Sequence, residues 1–78
     1  MTLEIISPDE ILFKGTAESV TLPGKMGSFT VLRNHASLIS ALDPGDIFFR
    51  TPDGHEKSVT VKGGIVDVDN NVISVCVY

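Results

Sequence analysis

The chain has 78 residues, of which 42% are hydrophobic and 21% charged, and this length and composition predict one small globular domain over residues 1–78. A domain of this size encloses one thin core, which excludes a deep catalytic cleft. The formal net charge of −4 excludes the basic surface of a nucleic-acid-binding protein, and it argues against adhesion to an anionic membrane.

Cysteine content and the distribution of apolar residues bear on the compartment. The only cysteine, Cys76, excludes an internal disulfide and is typical of a reducing compartment. No apolar run reaches the roughly 20 residues of a membrane-spanning helix, and the first residues lack the basic region of a signal peptide. We therefore expect a cytoplasmic domain without direct insertion into lipid. The mean hydropathy of +0.23 is high for so small a domain, which indicates apolar surface that a partner covers.

Short apolar runs with a period of two, separated by turn residues, predict about nine strands. In chain order they are Leu3–Ile6, Ile11–Phe13, Ser19–Leu22, Phe29–Val31, Leu38–Leu42, Ile47–Phe49, Ser58–Val61, Ile65–Val68 and Val72–Val77. Turn residues such as Pro23-Gly24, Asp43-Pro44-Gly45 and Asp69-Asn70-Asn71 separate them. Strands of this length and spacing are typical of an antiparallel sandwich or barrel. We predict an all-β chain that forms a small antiparallel β-sandwich of nine to ten strands, with no helical domain after it.

The alternating positions of these strands should fill the core. They are Val20, Leu22, Phe29, Val31, Leu42, Val59, Val61, Val66, Val68, Ile73, Val75 and Val77. Three apolar residues break the alternation, because Ile39, Ala41 and Phe48 fall on the faces opposite the core-facing residues of their strands. The outer faces of a thin sandwich have no second layer, so these residues either dock on a partner or lie under a local loop.

The residues that could perform chemistry do not form a recognisable site. His35, His55 and Cys76 lie in different segments without the spacing of a metal site, and Asp67 and Asp69 supply too few oxygens for calcium. No nucleophile motif is present. We therefore expect no catalytic residue, no metal and no cofactor.

The turn at residues 24–27 permits two other interpretations. It lacks the spacing of a phosphate-binding loop, and no helix follows it. A lysine in a tight turn of a small all-β domain also resembles a biotinyl or lipoyl carrier, although only Lys25-Met26 matches that pattern. A carrier domain and a stand-alone ligand-binding sandwich remain alternatives.

Three segments together are similar to one family. Residues 27–42, GSFTVLRNHASLISAL, match a pattern in which His-Ala follows a Gly-x-[FL]-x-[VI] strand. The turn Pro44-Gly45-Asp46-Ile47 comes next, and residues 61–68, VKGGIVDV, contain the Gly-Gly block. In this order they resemble the amino-terminal β-sandwich domain of the F-type ATP synthase ε subunit, and the likeness spans essentially the whole chain.

The resemblance implies a non-catalytic central-stalk subunit that turns with the rotor of a proton- or sodium-translocating ATP synthase. It implies an interface with the γ subunit at His35, Ala36, Leu38, Ile39, Ser40 and Ala41. It also implies an interface with the c ring at Gly24, Lys25, Met26, Gly27 and Ser28, where many relatives have an acidic residue in place of Ser28. The other synthase subunits would be indirect partners, and the complex would lie on the cytoplasmic face of a bacterial inner membrane.

Many members of that family carry a helical hairpin after the sandwich, which can restrain ATP hydrolysis and in some members binds ATP. No helical segment follows the last strand within this sequence. We therefore do not extend inhibition by the hairpin, or nucleotide binding through it, to these residues.

Overall fold

A computed structural model describes all 78 residues and shows nine β-strands and no helix, so the all-β prediction is confirmed. The strands are β1 (Thr2–Ile6), β2 (Ile11–Thr16), β3 (Ser19–Leu22), β4 (Phe29–Leu32), β5 (Leu38–Leu42), β6 (Gly45–Arg50), β7 (Glu56–Val61), β8 (Gly64–Asp69) and β9 (Val72–Val77). The second strand was predicted as Ile11–Phe13, but β2 continues to Thr16 because Gly15 pairs with Leu3 of β1.

The strands form a sandwich of two sheets. The larger sheet has five strands in the order β2-β1-β9-β8-β5, and the smaller has four in the order β4-β3-β6-β7. All neighbouring strands are antiparallel except β1 and β9, which run parallel in the middle of the larger sheet. The predicted sandwich is therefore confirmed, with one parallel pair in place of a wholly antiparallel arrangement.

The core lies between the two sheets and consists of 15 buried hydrophobic residues. Ten of the predicted core residues are buried, while Phe29 and Val59 are half-buried and pack against the others. The prediction omitted five buried residues, namely Leu3, Ile5, Ala17, Ile47 and Phe49. Most of these stand in runs such as Ile5-Ile6 and Ile47-Phe48-Phe49, where apolar neighbours on both faces hide the alternation.

Two tight connections have backbone conformations that determine which residues can occupy them. Asn70 and Asn71 both have positive φ angles, 51° and 61°, as a two-residue hairpin turn with the twist of the flanking strands requires. Gly64, at φ 155°, begins β8 so close to β9 that a Cβ atom would lie 2.2 Å from the Cys76 carbonyl oxygen.

The loops gather at two opposite ends of the sandwich. Residues 24–28 and the turn between β5 and β6 lie at one end, where Asp43 N–H donates to the Pro23 carbonyl at 2.8 Å. The segment 33–37 and the β8–β9 turn lie at the other end. Strand β4 connects these ends, so the two predicted interfaces begin at opposite ends of the domain.

Candidate functional site

The outer face of the five-stranded sheet carries a continuous line of apolar side chains. Strand register places one of them on each strand, because Ile6 pairs with both Ile11 and Cys76, and Ile65 pairs with both Cys76 and Ala41. We call these five residues, Ile11, Ile6, Cys76, Ile65 and Ala41, the apolar row. Neighbouring strands lie about 4.8 Å apart, so the row extends for roughly 19 Å.

Most of the apolar row is open to solvent. Ile65, near its centre, is 52% exposed, and Ile11, Cys76 and Ala41 are exposed as well, whereas Ile6 is half-buried. Single exposed apolar residues are common on protein surfaces, but a line that crosses every strand of a sheet is typical of an interaction surface.

The outer face of the four-stranded sheet has a different character. The hydroxyls of Thr21 and Thr30 are 2.8 Å apart, and an ion pair joins Arg50 to Glu56 at 2.9 Å. Phe48, 54% exposed, lies between polar neighbours, because it pairs with Thr21 and with Ser58. This face has no continuous apolar line, which singles out the larger sheet as the candidate site.

A groove with acidic groups borders one end of the apolar row. It has a volume of about 500 Å³ and is lined by Ser37, Leu38, Ile39, Asp67, Val68 and Asp69. Ile39, 75% exposed, pairs across the strands with Asp67, and the Ser37 hydroxyl donates to Asp69 at 2.6 Å. The groove thus combines an apolar floor with two carboxylates. We call it the acidic groove.

The six residues predicted to contact the γ subunit do not all lie on this face. Ile39 and Ala41 project from β5 on the same side as the apolar row. Leu38 packs against the core, and half-buried Ser40 shares its inward side of the strand. His35 and Ala36 are exposed in the segment between β4 and β5, at the end of the sandwich.

Hydrogen bonds fix the segment that carries His35. The Asn34 N–H donates to Asn71 Oδ1 at 2.6 Å, and Asn71 Nδ2 donates back to Asn34 Oδ1 at 2.9 Å. The bond between Ser37 and Asp69 adds a second attachment to the end of β8. His35 therefore lies on a segment that is hydrogen-bonded to the five-stranded sheet both before and after it.

The five residues predicted to face the c ring form a tightly held loop at the opposite end. Gly24 is buried, and a Cβ atom there would lie 2.6 Å from the Gly27 carbonyl oxygen. The Lys25 N–H donates to the Ala41 carbonyl at 2.9 Å, which attaches the loop to β5. Met26 is 98% exposed at the tip, and Gly27 and Ser28 are exposed beside it. The loop presents its side chains outward from a fixed backbone.

Comparison with known proteins bears on what these surfaces are for. The family described as ATP synthase, Delta/Epsilon chain, beta-sandwich domain matches residues 1–78. The chain belongs to this family. The resemblance that the sequence segments indicated is thereby confirmed.

Curated relatives carry the same family name. The ATP synthase epsilon chain of a Nitratiruptor species is 45% identical over 71 residues, which cover 91% of this chain and 55% of the relative. The epsilon chain of Sulfurimonas denitrificans is 42% identical over 77 residues, covering 99% of this chain and 59% of the relative. The chain thus spans a little over half the length of these relatives.

Solved structures of the ATP synthase share the fold of this family member. A chain in the Euglena gracilis mitochondrial ATP synthase structure of OSCP, F1 and c-ring aligns with a TM-score of 0.89 at 21% identity, covering 96% of this chain and 48% of that one. A chain in the Tetrahymena thermophila central stalk and c-ring structure aligns with a TM-score of 0.82 at 16% identity, covering 97% and 61%. No helix that could cross a membrane is present in this epsilon-family domain.

Sequence reasoning missed most of the apolar row. Ala41 was identified because it breaks the alternation of its strand, but Ile6, Ile11, Ile65 and Cys76 were not predicted to belong to an exposed apolar surface. Each of these is one apolar residue on the outer side of its own strand, where single apolar residues are ordinary. These residues form a line only because of the pairing register between the five strands. Alternation within a single strand does not reveal that register.

The titratable groups of this epsilon-family domain form no cluster of three or more His, Cys, Asp and Glu side chains. One local arrangement stands out at the tip of the β6–β7 hairpin. The Thr51 hydroxyl donates to one oxygen of Asp53, and His55 Nδ1 lies 2.7 Å from the other. These two hydrogen bonds, with that from Thr51 the stronger influence, lower the pKa of Asp53 from 3.8 to about 2.

We expect a carbon-detected NMR titration to find the midpoint of Asp53 near pH 2, and Thr51→Ala to raise it toward the ordinary value. His55→Ala should raise it by less, because the Thr51 hydroxyl has the larger effect on the pKa. A lowered pKa favours the folded state above about pH 4, and this contribution disappears as the pH falls through about 2. A midpoint near 3.8 in the unsubstituted chain would contradict the arrangement.

Proposed function

We propose that this chain is a non-catalytic central-stalk subunit of an F-type ATP synthase, and that the outer face of its five-stranded sheet docks on the γ subunit. The observation that carries the proposal is an exposed apolar row in a domain of the delta/epsilon family. The names of the curated relatives and the central-stalk title of one structural neighbour support it.

The size of the face indicates which other residues take part. The five strands lie about 4.8 Å apart, and each is about five residues long with a rise of roughly 3.3 Å per residue. Together they present a face of roughly 400 Å². A standard interface buries about 800 Å² on each partner, so this face alone is too small. We expect the segment 33–37, with His35 and Ala36, to complete the γ interface beyond the end of β5.

The proposed contact with the c ring rests on the other end of the domain. The loop Gly24–Ser28 projects Lys25 and Met26 outward, and its backbone is held by bonds to Ala41 and within the loop. Because Lys25 and Ala41 are bonded, this loop and the proposed γ-binding face adjoin each other. A domain that contacts both partners through one rigid sandwich can transmit rotation between them without bending, whichever of protons or sodium ions drives the rotor.

The same proposal gives the location of the chain. As part of an ATP synthase it would be peripheral to the membrane, on the cytoplasmic side of the inner membrane of a bacterium. Its outer surfaces carry Asp and Glu more than Lys and Arg, ten against six in the chain, so attachment is expected through protein contacts rather than through anionic lipid.

Cys76 provides a direct test, because the only thiol of the chain is exposed in the middle of the apolar row. We expect the purified chain to bind the γ subunit of its own synthase. The bound chain should react with a maleimide at least tenfold more slowly than the free chain. The reaction is followed by intact-mass spectrometry.

A chain with Cys76→Ser and Thr30→Cys is the matched control, because Thr30 is exposed on the outer face of the other sheet. Its thiol should react equally fast with and without the γ subunit. Binding without protection of Cys76 would place the interface elsewhere on the domain. If the γ subunit does not bind at all, the proposed function is wrong.

A further inference from the structure

The acidic groove beside the apolar row contains a carboxylate that nothing in the chain neutralises. Asp67 is exposed on β8, two residues from Ile65 of the apolar row, and it pairs with Ile39 on one side and Ser74 on the other. It takes part in none of the three ion pairs, which join Lys14 to Glu4, Arg50 to Glu56 and His55 to Asp53.

The other acidic groups on this face differ from Asp67. Glu4 lies in the same cross-strand line, but Lys14 is 3.7 Å from it, and Asp69 accepts a hydrogen bond from the Ser37 hydroxyl. Asp67 thus lacks both kinds of partner. It is the one of these three carboxylates that has neither an ion pair nor a hydrogen bond, and it lies beside the apolar row.

None of the six lysines and arginines of the chain forms an ion pair with Asp67. Lys14 is on β2, at the far edge of the same sheet, and Arg50 pairs with Glu56 on the other sheet. Lys57 lies 5.8 Å from the centre of the Phe13 ring, and Lys25 is in the loop at residues 24–28. Lys62 follows β7, and Arg33 lies in the segment 33–37 beside the groove, but neither forms an ion pair. Asp67 therefore has no ion-pair partner within the chain, and another molecule can supply one.

We infer that the γ-subunit segment that docks on this face carries a lysine or arginine between apolar residues, and that its side chain enters the acidic groove to reach Asp67. This inference rests on the proposed function and names the chemistry of the partner at that site. The aliphatic stem of such a side chain would pack on Ile39, and its charged head would meet the carboxylate. Apolar residues on either side of it would cover the apolar row.

The charge makes the orientation of the partner specific. An apolar row permits a partner to slide or to bind in reverse, because apolar contacts have no direction. A charge pair at one end of the row, beside β5 and far from β2, allows one orientation only. For a rotor subunit, a single orientation keeps the loop at residues 24–28 pointing toward one partner.

The test measures the affinity of Asp67 variants for the purified γ subunit of the same synthase by titration calorimetry. We expect Asp67→Asn to weaken binding roughly threefold to tenfold and Asp67→Lys to weaken it further, because a repulsive pair replaces an attractive one. The affinity of the unsubstituted chain should fall as salt is raised from about 0.05 to 0.5 M, and this dependence should flatten in Asp67→Asn.

Asp46→Asn and Asp46→Lys are the matched controls. Asp46 is an exposed strand carboxylate on the opposite sheet, where the Thr60 hydroxyl donates to it at 2.6 Å, and an asparagine amide oxygen can still accept that bond. These controls change the net charge of the chain by the same amount as the Asp67 variants. They should bind the γ subunit with unchanged affinity, and circular dichroism should show all four variants folded.

The outcomes separate the inference from the function on which it rests. If the unsubstituted chain binds the γ subunit, and Asp67 and Asp46 variants bind equally well, the inference is wrong while the proposed function stands. If Asp67→Lys binds more tightly than the unsubstituted chain, the partner segment is acidic and the inference is also wrong. If the unsubstituted chain does not bind, the proposed function fails and the inference with it.

Discussion

Replacing Gly64 with alanine is expected to lower the free energy of unfolding by about 3–5 kcal/mol, which is most of the stability of a domain this small. The added Cβ would lie 2.2 Å from the Cys76 carbonyl oxygen and 3.0 Å from the Val77 Cα. Both are backbone atoms of β9, which is paired on both sides within the larger sheet. They cannot move away without breaking the β8–β9 ladder. Chemical denaturation followed by circular dichroism measures the effect.

Gly27→Ala is the matched control for this prediction. Gly27 also has a positive φ angle, 125°, but no atom lies within 4 Å of the position that its Cβ would occupy. The control therefore measures the cost of a Cβ atom at a positive φ angle without a collision, which should be about 1–2 kcal/mol. The difference between the two variants is the cost of the collision with β9. Equal destabilisation of both variants would mean that the backbone of the larger sheet can shift to accommodate a side chain at residue 64.

Replacing Ile65 with glutamine is expected to weaken binding to the γ subunit about thirtyfold or more, which corresponds to about 2 kcal/mol. Ile65 lies between Ala41 and Cys76 near the centre of the apolar row, where docking removes water most completely. A neutral polar side chain is chosen because a charged one would also interact with Asp67, two residues away. Calorimetric titration of the folded variant with the γ subunit gives the affinity.

Phe48→Gln is the control on the opposite sheet. Phe48 is 54% exposed and Ile65 is 52% exposed, so the two substitutions remove comparable amounts of apolar surface from water contact. Neither residue belongs to the core, and both variants should unfold at nearly the temperature of the unsubstituted chain. Only Ile65→Gln should bind weakly. An equal loss for both variants would show that γ contacts both faces or that the loss is unspecific.

The strands were predictable because period-two alternation is a local property of the sequence. The fourth strand, predicted as Phe29–Val31 and found as Phe29–Leu32, illustrates how closely the runs and turns locate an element. The extension of β2 through Gly15 was not predictable, since it depends on pairing with Leu3 on another strand. Alternation indicates which residues share a face of one strand, but it does not indicate which strands are neighbours.

The candidate site was accordingly predictable only in part. Ile39 and Ala41 were identified from two-sided apolar character within one strand, and both are exposed on the proposed docking face. The remainder of the apolar row arises from five strands that are scattered along the sequence from Ile6 to Cys76. In the sequence Asp67 is simply one of two alternating carboxylates, and its lack of an ion-pair partner is a property of the assembled sheet.

The parallel contact between β1 and β9 affects the order in which the chain can acquire its structure. Thr2 pairs with Val72, so β1 must wait for a strand that is translated much later. During synthesis β1 and β2 can form a hairpin, but the other edge of β1 stays unpaired until residues 72–77 have left the exit tunnel. The larger sheet therefore completes after translation of β9. A nascent chain stalled before that strand should be open to proteases, whereas one long enough to place β9 outside the ribosome should resist them.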